Sequence, residues 1–183
     1  MAKGFPYGFA RPAREGAEPS SVKILLRWLL VQALRVYLGV LKLLGKVPRS
    51  AAVACWQGDR ILLVRNSYRR SLGFPGGLLR RGESFLDGAV RELREEVALC
   101  CDPEQLSLAL QFEQCLYFET ELSAEARPRC DDFEVSWAGF VPWQEALQQH
   151  LTERVRTYLE QRGPLRATPC QSPISAESTR SQE

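Results

Sequence analysis

The chain has 183 residues, of which 45% are apolar and 25% are charged, with 24 basic and 22 acidic side chains. This length fits one globular domain with short extensions, and the apolar fraction excludes a fully disordered chain. A net charge of +2 is too small to predict nucleic-acid binding, so no nucleic-acid partner is expected.

The six cysteines follow neither a disulfide pattern nor a zinc pattern. No C-x-x-C pair occurs, Cys100 and Cys101 are adjacent, and the single histidine, His150, lies at no zinc-ligand spacing from a cysteine. No secretory signal is evident either, so reduced thiols and a cytoplasmic location are expected. Cys55 and Cys115 lie in apolar runs and are predicted to be core residues.

The first part of the chain divides into two segments. Residues 1–19 mix glycine, proline, aromatic and charged residues without a period, which predicts a loose leader. Residues 20–46 predict one long amphipathic helix with a purely cationic polar face, and no acidic residue occurs from position 20 to position 58. Charged residues interrupt it too often for a spanning helix. Two interpretations stay open: the helix packs on the following domain, or residues 21–46 lie on an anionic membrane surface.

Strand and helix patterns alternate from residue 50 to residue 162. Residues 51–56 and 60–65 predict a hairpin around Gly58, and the GFPGG sequence at 73–77 predicts a turn without regular structure. Residues 84–99 predict a helix capped by Ser84, with a buried stripe formed by Leu86, Val90, Leu93 and Val97. Further strands are predicted over 106–112, 115–122 and 134–141, then a helix over 143–162 ended by Gly163-Pro164 and a disordered tail over 163–183.

Three carboxylates share one face of the helix predicted over 84–99. Glu92, Glu95 and Glu96 lie at positions i, i+3 and i+4, beside the buried stripe. Carboxylates this close repel one another unless a cation lies between them, and oxygen ligands suit Mg²⁺ or Mn²⁺ better than Zn²⁺. The alternative is an ordinary solvated face with Glu–Arg pairs.

The segment from Gly77 to Leu99, GLLRRGESFLDGAVRELREEVAL, resembles the signature of the Nudix hydrolase superfamily. That signature is a glycine, five residues, a glutamate, seven residues, and then Arg-Glu-apolar-x-Glu-Glu-x-Gly-apolar. The matching positions are Gly77, Glu83, Arg91, Glu92, Leu93, Glu95, Glu96 and Leu99. Ala98 stands where the family usually has glycine. A left-handed helix cap at this position would cost alanine about 1 kcal/mol, and the replacement removes no ligand.

The resemblance implies an α/β fold, with an α/β/α sandwich around a mixed sheet over residues 50–162. It also implies Mg²⁺- or Mn²⁺-dependent cleavage of a diphosphate bond in a nucleoside diphosphate derivative, a small-molecule substrate. Homodimers are common in the superfamily, so self-association is compatible with it.

The resemblance also implies roles for individual residues. Glu92, Glu95 and Glu96 would bind the metal, with the carbonyl of Gly77 as a further ligand. Glu83 would be structural or a minor ligand, bracing the loop through Arg91. The general base would be Glu92, positioned by Arg91, or an acid outside the signature. Glu134 best matches that second place, with Asp131 and Asp132 as alternatives.

The sequence indicates the substrate-binding residues less specifically than the metal-binding ones. Arginines on both sides of the glycine turn, among them Arg65 and Arg80, could bind phosphates, and Tyr68 could stack on a base. The alternative is that they are exposed loop residues. Two other functions stay open: a catalytically silent Nudix-fold module that binds a nucleotide, and a membrane-surface enzyme acting on a lipid diphosphate.

Overall fold

The structure is a computed structural model that describes residues 47–130 and 134–166, with ten isolated positions between 25 and 45. The predicted leader, the basic helix as a whole and the chain after residue 166 lie outside the described residues. None of the described helices combines the length and the apolar character needed to cross a bilayer.

A central strand, β1 (Ser50–Gln57), organises a six-stranded mixed sheet. The other strands are β2 (Arg60–Asn66), β3 (Gly76–Leu78), β4 (Ser107–Phe112), β5 (Cys115–Glu121) and β6 (Val135–Pro142). The order is β4-β5-β1-β2-β6, and β3 pairs with β1 as well. Strand β1 runs parallel to β5 and antiparallel to β2 and β3, which makes the sheet mixed.

Helices cover both faces of the sheet. They are α1 (Phe85–Val97), α2 (Trp143–Leu147) and α3 (Glu153–Arg166), with a short 3-10 turn at Pro103–Gln105. The side chains of β1 alternate between two apolar clusters: one includes residues of α2 and α3, and the other includes residues of α1. A strand buried on both faces reads as a continuous apolar run, which is what residues 51–56 are. The predicted α/β/α sandwich is therefore confirmed.

Most of the predicted strands are present within one or two residues of their predicted bounds. The hairpin of β1 and β2 turns at Gly58, whose φ of 60° lies in the left-handed region that glycine tolerates. Cys55 and Cys115 are buried, as predicted.

The glycine-rich segment predicted as an irregular turn is partly regular, so that prediction is wrong. Strand β3 pairs with residues 50–52 of β1, and Gly73 forms an isolated bridge with Val64. At Gly76 a Cβ would overlap the carbonyl oxygen of Ala51, so only glycine lets the two strands approach. Glycine usually weakens a strand, and the sequence pattern gave no sign of this close approach.

The prediction of a single final helix over 143–162 is also wrong, because the structure has two helices there, α2 and α3. Residues 148–152 leave the helical path to pair with Leu72, whose N–H donates to the His150 carbonyl over 2.8 Å. The Thr152 N–H returns a bond to the Leu72 carbonyl over 3.0 Å. The second part continues to Arg166, so Gly163-Pro164 does not end it. The apolar residues keep a four-residue spacing across the break, so the sequence pattern gives no sign of it.

Helix α1 begins after Ser84, whose Oγ accepts the N–H of Asp87 over 3.1 Å, so the predicted cap is confirmed. The predicted buried stripe is only half right, because Leu86 is exposed and Val90 is half-buried. The buried residues are Gly88, Ala89, Glu92, Leu93, Glu96 and Val97. Gly88 allows close packing, since a Cβ there would overlap the Leu79 side chain, and it is buried together with Ala89.

Ala98 caps α1 in the left-handed conformation, with φ 55° and ψ 30°, and its N–H donates to the Arg94 carbonyl over 3.1 Å. We expect Ala98→Gly to raise the free energy of unfolding by about 1 kcal/mol, because glycine has no Cβ penalty in this region. Urea denaturation measures the change. Arg94→Gly, one turn earlier in regular helix, should lower stability by about 1 kcal/mol. A loss of stability in both variants would contradict the strain assigned to Ala98.

Candidate functional site

Two glutamates lie on the buried face of α1, directly under strand β3. Glu92 is 8% exposed and Glu96 is 3% exposed. The backbone N–H of Gly76 donates to Glu96 Oε2 over 2.9 Å, and a Cβ at Gly77 would lie 2.5 Å from Glu92 Oε1. Gly76 therefore binds the Glu96 carboxylate, and Gly77 leaves the space that the Glu92 carboxylate occupies. The role of Gly76 is not predictable from the sequence, because a backbone donor leaves no side-chain signal.

The guanidinium of Arg91 connects three parts of the site: the loop after β3, strand β3 itself and helix α1. It donates to Glu83 over 2.7 Å and 3.0 Å, to Glu92 over 2.8 Å and to Glu95 over 2.9 Å. A further bond of 3.1 Å reaches the carbonyl of Leu78 in β3. The Arg91 side chain is only 10% exposed, so these bonds form in partly desolvated surroundings. Loop, strand and helix are thus tied at one point.

The carboxylates differ in their readiness to take a proton. The hydrogen bonds from the Arg91 side chain and the Arg80 N–H lower the pKa of Glu83 to about 2. Burial raises the pKa of Glu92, against the hydrogen bond from Arg91, and the charges of Glu134 and Glu95 add to the rise. Partial burial also pushes the pKa of Glu95 upward, but Arg91 and Arg80 together hold it below its ordinary value. Glu92 is therefore the stronger base of the three.

The start of β6 brings Glu134 to this cluster. The N–H and Oγ of Ser67 both donate to the Glu134 carbonyl, over 2.8 Å and 3.0 Å, which ties the turn after β2 to β6. The charge of Glu134 raises the pKa of Glu92 and of Tyr68, so its carboxylate lies near both. Asp131 and Asp132 lie outside the described residues.

The three residues predicted to bind substrate have different positions. Burial, followed by the charges of nearby glutamates, raises the pKa of Tyr68, so its hydroxyl lies close to the acidic cluster. Arg69 lies over the Tyr68 ring, 5.5 Å from its centre. Arg80 contacts Glu95 over 3.0 Å. Arg65 pairs across the sheet with Trp137, which packs on the α2–α3 side, so its side chain lies on the face opposite α1.

The donor atoms at the site are of the kind that a hard divalent cation binds. Three carboxylates, those of Glu83, Glu92 and Glu95, contact the guanidinium groups of Arg80 and Arg91. The Glu96 carboxylate accepts the N–H of Gly76 on the same helix face. Carboxylate and carbonyl oxygens are ligands of Mg²⁺ and Mn²⁺, and the Gly77 backbone borders Glu92. Across residues 47–130 and 134–166, no three histidine, cysteine or acidic side chains converge on one point as a ligand set. Glu92 and Glu95 are instead hydrogen-bonded to arginine.

Comparison with protein families agrees with this fold. The family profile described as NUDIX domain matches residues 46–161. The chain therefore belongs to the Nudix family. Comparison of the sequence with curated proteins gives no match.

Several solved structures have a similar fold. An Ap4A hydrolase from C. elegans, in a binary complex, has 17% identity and a TM-score of 0.54, with 65% of this chain and 97% of that chain covered. A MutT NUDIX hydrolase from Burkholderia pseudomallei has 21% identity and a TM-score of 0.52, covering 62% and 96%. The NUDIX domain of Shewanella oneidensis NrtR, complexed with ADP ribose, has 17% identity and a TM-score of 0.53, covering 64% and 89%. At these identities the likeness concerns the fold.

Gly77→Ala tests whether the contact of β3 with Glu92 matters for metal binding. The new Cβ would lie 2.5 Å from Glu92 Oε1, so the carboxylate must move, and Mn²⁺ affinity should fall about tenfold. The Mn²⁺-dependent rise of the thermal unfolding midpoint measures this affinity. Gly73→Ala is the matched control, because a Cβ there meets nothing within 4 Å. Equal Mn²⁺ responses of the two variants would contradict the prediction.

Proposed function

We propose that the protein is a diphosphatase that uses Mg²⁺ or Mn²⁺ to cleave a diphosphate bond in a nucleoside diphosphate derivative. The observation that carries this proposal is the pair of nearly buried glutamates on α1, Glu92 and Glu96, seated against the glycines of β3. Burying two carboxylates one turn apart is costly unless positive charge compensates them. Family membership and the similarity to an Ap4A hydrolase and to a domain complexed with ADP ribose support the same class of substrate.

The residues that would hold the cation are Glu92, Glu95, Glu96 and the carbonyl of Gly77. When bound, the cation neutralises the anionic oxygens of the diphosphate and lowers the pKa of a water molecule. The chain supplies the fixed positions: Gly76 orients Glu96, and Arg91 orients both Glu92 and Glu95. In this scheme Arg91 is a positioning residue.

Two carboxylates can accept the proton of the attacking water. Glu92 has a raised pKa and a fixed orientation, which suits a general base. Glu134 is exposed at the start of β6 and near Glu92, which suits a base that acts from the rim of the site. Arg80 and Tyr68 lie beside the same cluster. Arg80 would donate hydrogen bonds to phosphate oxygens, and the ring of Tyr68 would stack on the nucleobase of the substrate.

Product release from ADP ribose, nucleoside diphosphates and diadenosine polyphosphates, with Mg²⁺, tests the proposal. Glu96→Gln should lower kcat by about a hundredfold or more and leave the fold intact, because it removes a charged oxygen that Gly76 orients. Glu104→Gln, an exposed acid in the 3-10 turn, is the control and should retain the wild-type rate. Wild-type protein that binds ADP ribose without turnover would instead support a silent binding module.

The second candidate concerns location. We propose that residues 21–46 attach the protein to an anionic membrane surface, where a lipid diphosphate would be an alternative substrate. Six large apolar residues at described positions of this segment, Leu25, Leu29, Val36, Tyr37, Val40 and Leu43, are 49% to 88% exposed. The same segment carries basic residues and no acidic ones, which favours anionic lipid.

Co-sedimentation with phosphatidylserine-containing vesicles tests this attachment. Replacing Arg27 and Arg35 together with glutamate should release the full chain from the vesicles, because each basic residue near the surface contributes about 1 kcal/mol. The control replaces Arg94 and Arg127, which are exposed in the Nudix domain, with glutamate and so changes the net charge by the same amount. Equal loss in both variants, or equal retention, would reject the segment as the attachment site.

A further inference from the structure

Both carboxylate oxygens of Glu95 are engaged by arginine. Arg80 Nη2 donates to Oε1 over 3.0 Å, and Arg91 Nη1 donates to Oε2 over 2.9 Å. A divalent cation at Glu95 would therefore share the carboxylate with two guanidinium groups. Like charges at contact distance repel strongly, so binding of the cation weakens the two arginine contacts and favours the loss of one.

The two arginines are held with different strength. The Arg91 side chain is 10% exposed and also bonds Glu83, Glu92 and the carbonyl of Leu78. The Arg80 side chain is 66% exposed, and among the described residues its guanidinium hydrogen-bonds Glu95 alone. Exposed single ion pairs contribute little, whereas a guanidinium with several partners in partly desolvated surroundings is costly to displace. Arg80 is therefore the arginine that leaves.

The backbone of Arg80 stays in place when its side chain moves. Its N–H donates to Glu83 Oε2 over 2.8 Å, and Glu83 is itself held by Arg91. A guanidinium released from Glu95 thus remains attached beside the acidic cluster. The planar fork of arginine suits two oxygens of a phosphate group, which is the chemistry that a diphosphate substrate presents there.

We propose that Arg80 exchanges Glu95 for a phosphate group of the substrate when the divalent cation binds. The exchange rests on the proposed function, since it needs a cation at Glu95 and a substrate that carries phosphate. Without substrate, Arg80 competes with the cation for Glu95. With the cation bound, Arg80 adds to substrate affinity. Cation and substrate then bind with positive coupling through one side chain, and linkage makes this coupling reciprocal.

The first measurement is Mn²⁺ binding to the metal-free full chain without substrate, by electron paramagnetic resonance of the free ion. Arg80→Ala should bind Mn²⁺ about two- to fivefold more tightly than Arg81→Ala, because only the former removes a competitor for Glu95. Arg81 is the matched control, since it is the exposed neighbour in the same loop and its replacement removes the same charge.

The second measurement is calorimetric binding of α,β-methylene ADP, a diphosphate that resists hydrolysis, with and without Mn²⁺. Arg80→Ala should weaken binding about tenfold when Mn²⁺ is present, because a charge-assisted contact is lost. Without Mn²⁺ the change should stay below about twofold, because wild-type Arg80 is then still paired with Glu95. Opposite effects on Mn²⁺ and on the diphosphate are the signature of the exchange.

Two results would overturn the exchange while leaving the proposed function in place. Equal tightening of Mn²⁺ in the Arg80 and Arg81 variants would show a general charge effect. Equal weakening of the analogue with and without Mn²⁺ would show that Arg80 binds phosphate independently of the cation. Wild-type protein that takes up no Mn²⁺ would reject the proposed function, and the exchange with it.

Discussion

The guanidinium of Arg91 lies where the loop after β3, strand β3 itself and helix α1 meet, and the rest of the site depends on its contacts. Removing a carboxylate from water costs several kcal/mol in a protein interior, whereas one charge-assisted hydrogen bond contributes about 1.5–3 kcal/mol. Arg91 shares a single positive charge among Glu83, Glu92 and Glu95. Its bonds therefore orient the acids without neutralising the whole cluster. The remaining negative charge is what a divalent cation would compensate.

The opposite side of the sheet has the rigidity that such a site needs. The Nε1 of Trp56 in β1 donates to the Tyr158 hydroxyl over 2.8 Å, and this hydroxyl donates to Glu119 over 2.7 Å. Glu119 also lies 3.4 Å from Arg162. These contacts connect β1, β5 and α3. Strand β1, with which β3 pairs, is therefore held in position from the face of the sheet opposite α1. The pairing of residues 148–152 with Leu72 fixes the chain just before β3 in the same way.

The sequence was sufficient for the parts of the molecule whose signal is carried by side chains. Alternation identified the strands, the helical period identified α1, and the spacing of Glu92, Glu95 and Glu96 indicated an acidic face. It was insufficient where backbone contacts decide the structure. The pairing of β3, the break between α2 and α3 and the bond from Gly76 to Glu96 all use main-chain groups, which every residue has.

The candidate site shows the same division. The residue types that would bind a metal were predictable from their spacing, but the partners that hold them in the structure were not. The different contacts of Arg91 and Arg80 have no sign in the sequence, since both are arginines within three residues of a glutamate. Their difference comes from burial: the side chain of Arg91 is 10% exposed and that of Arg80 is 66% exposed. Burial depends on how β3 lies over α1, which the local sequence does not encode.

The buried acids also set a requirement on the stability of the domain. Small domains are stable by about 5–15 kcal/mol, so the cost of removing two carboxylates from water is large relative to that margin. Glu96 is the more buried of the pair, and the backbone N–H of Gly76 donates to it over 2.9 Å. A cation that binds only the folded chain adds RT ln(1 + [L]/Kd) to stability, about 2.7 kcal/mol at a hundred times Kd. The arrangement therefore links the fold to the cation: the more firmly the sheet holds Glu92 and Glu96 together, the more the domain gains when positive charge enters.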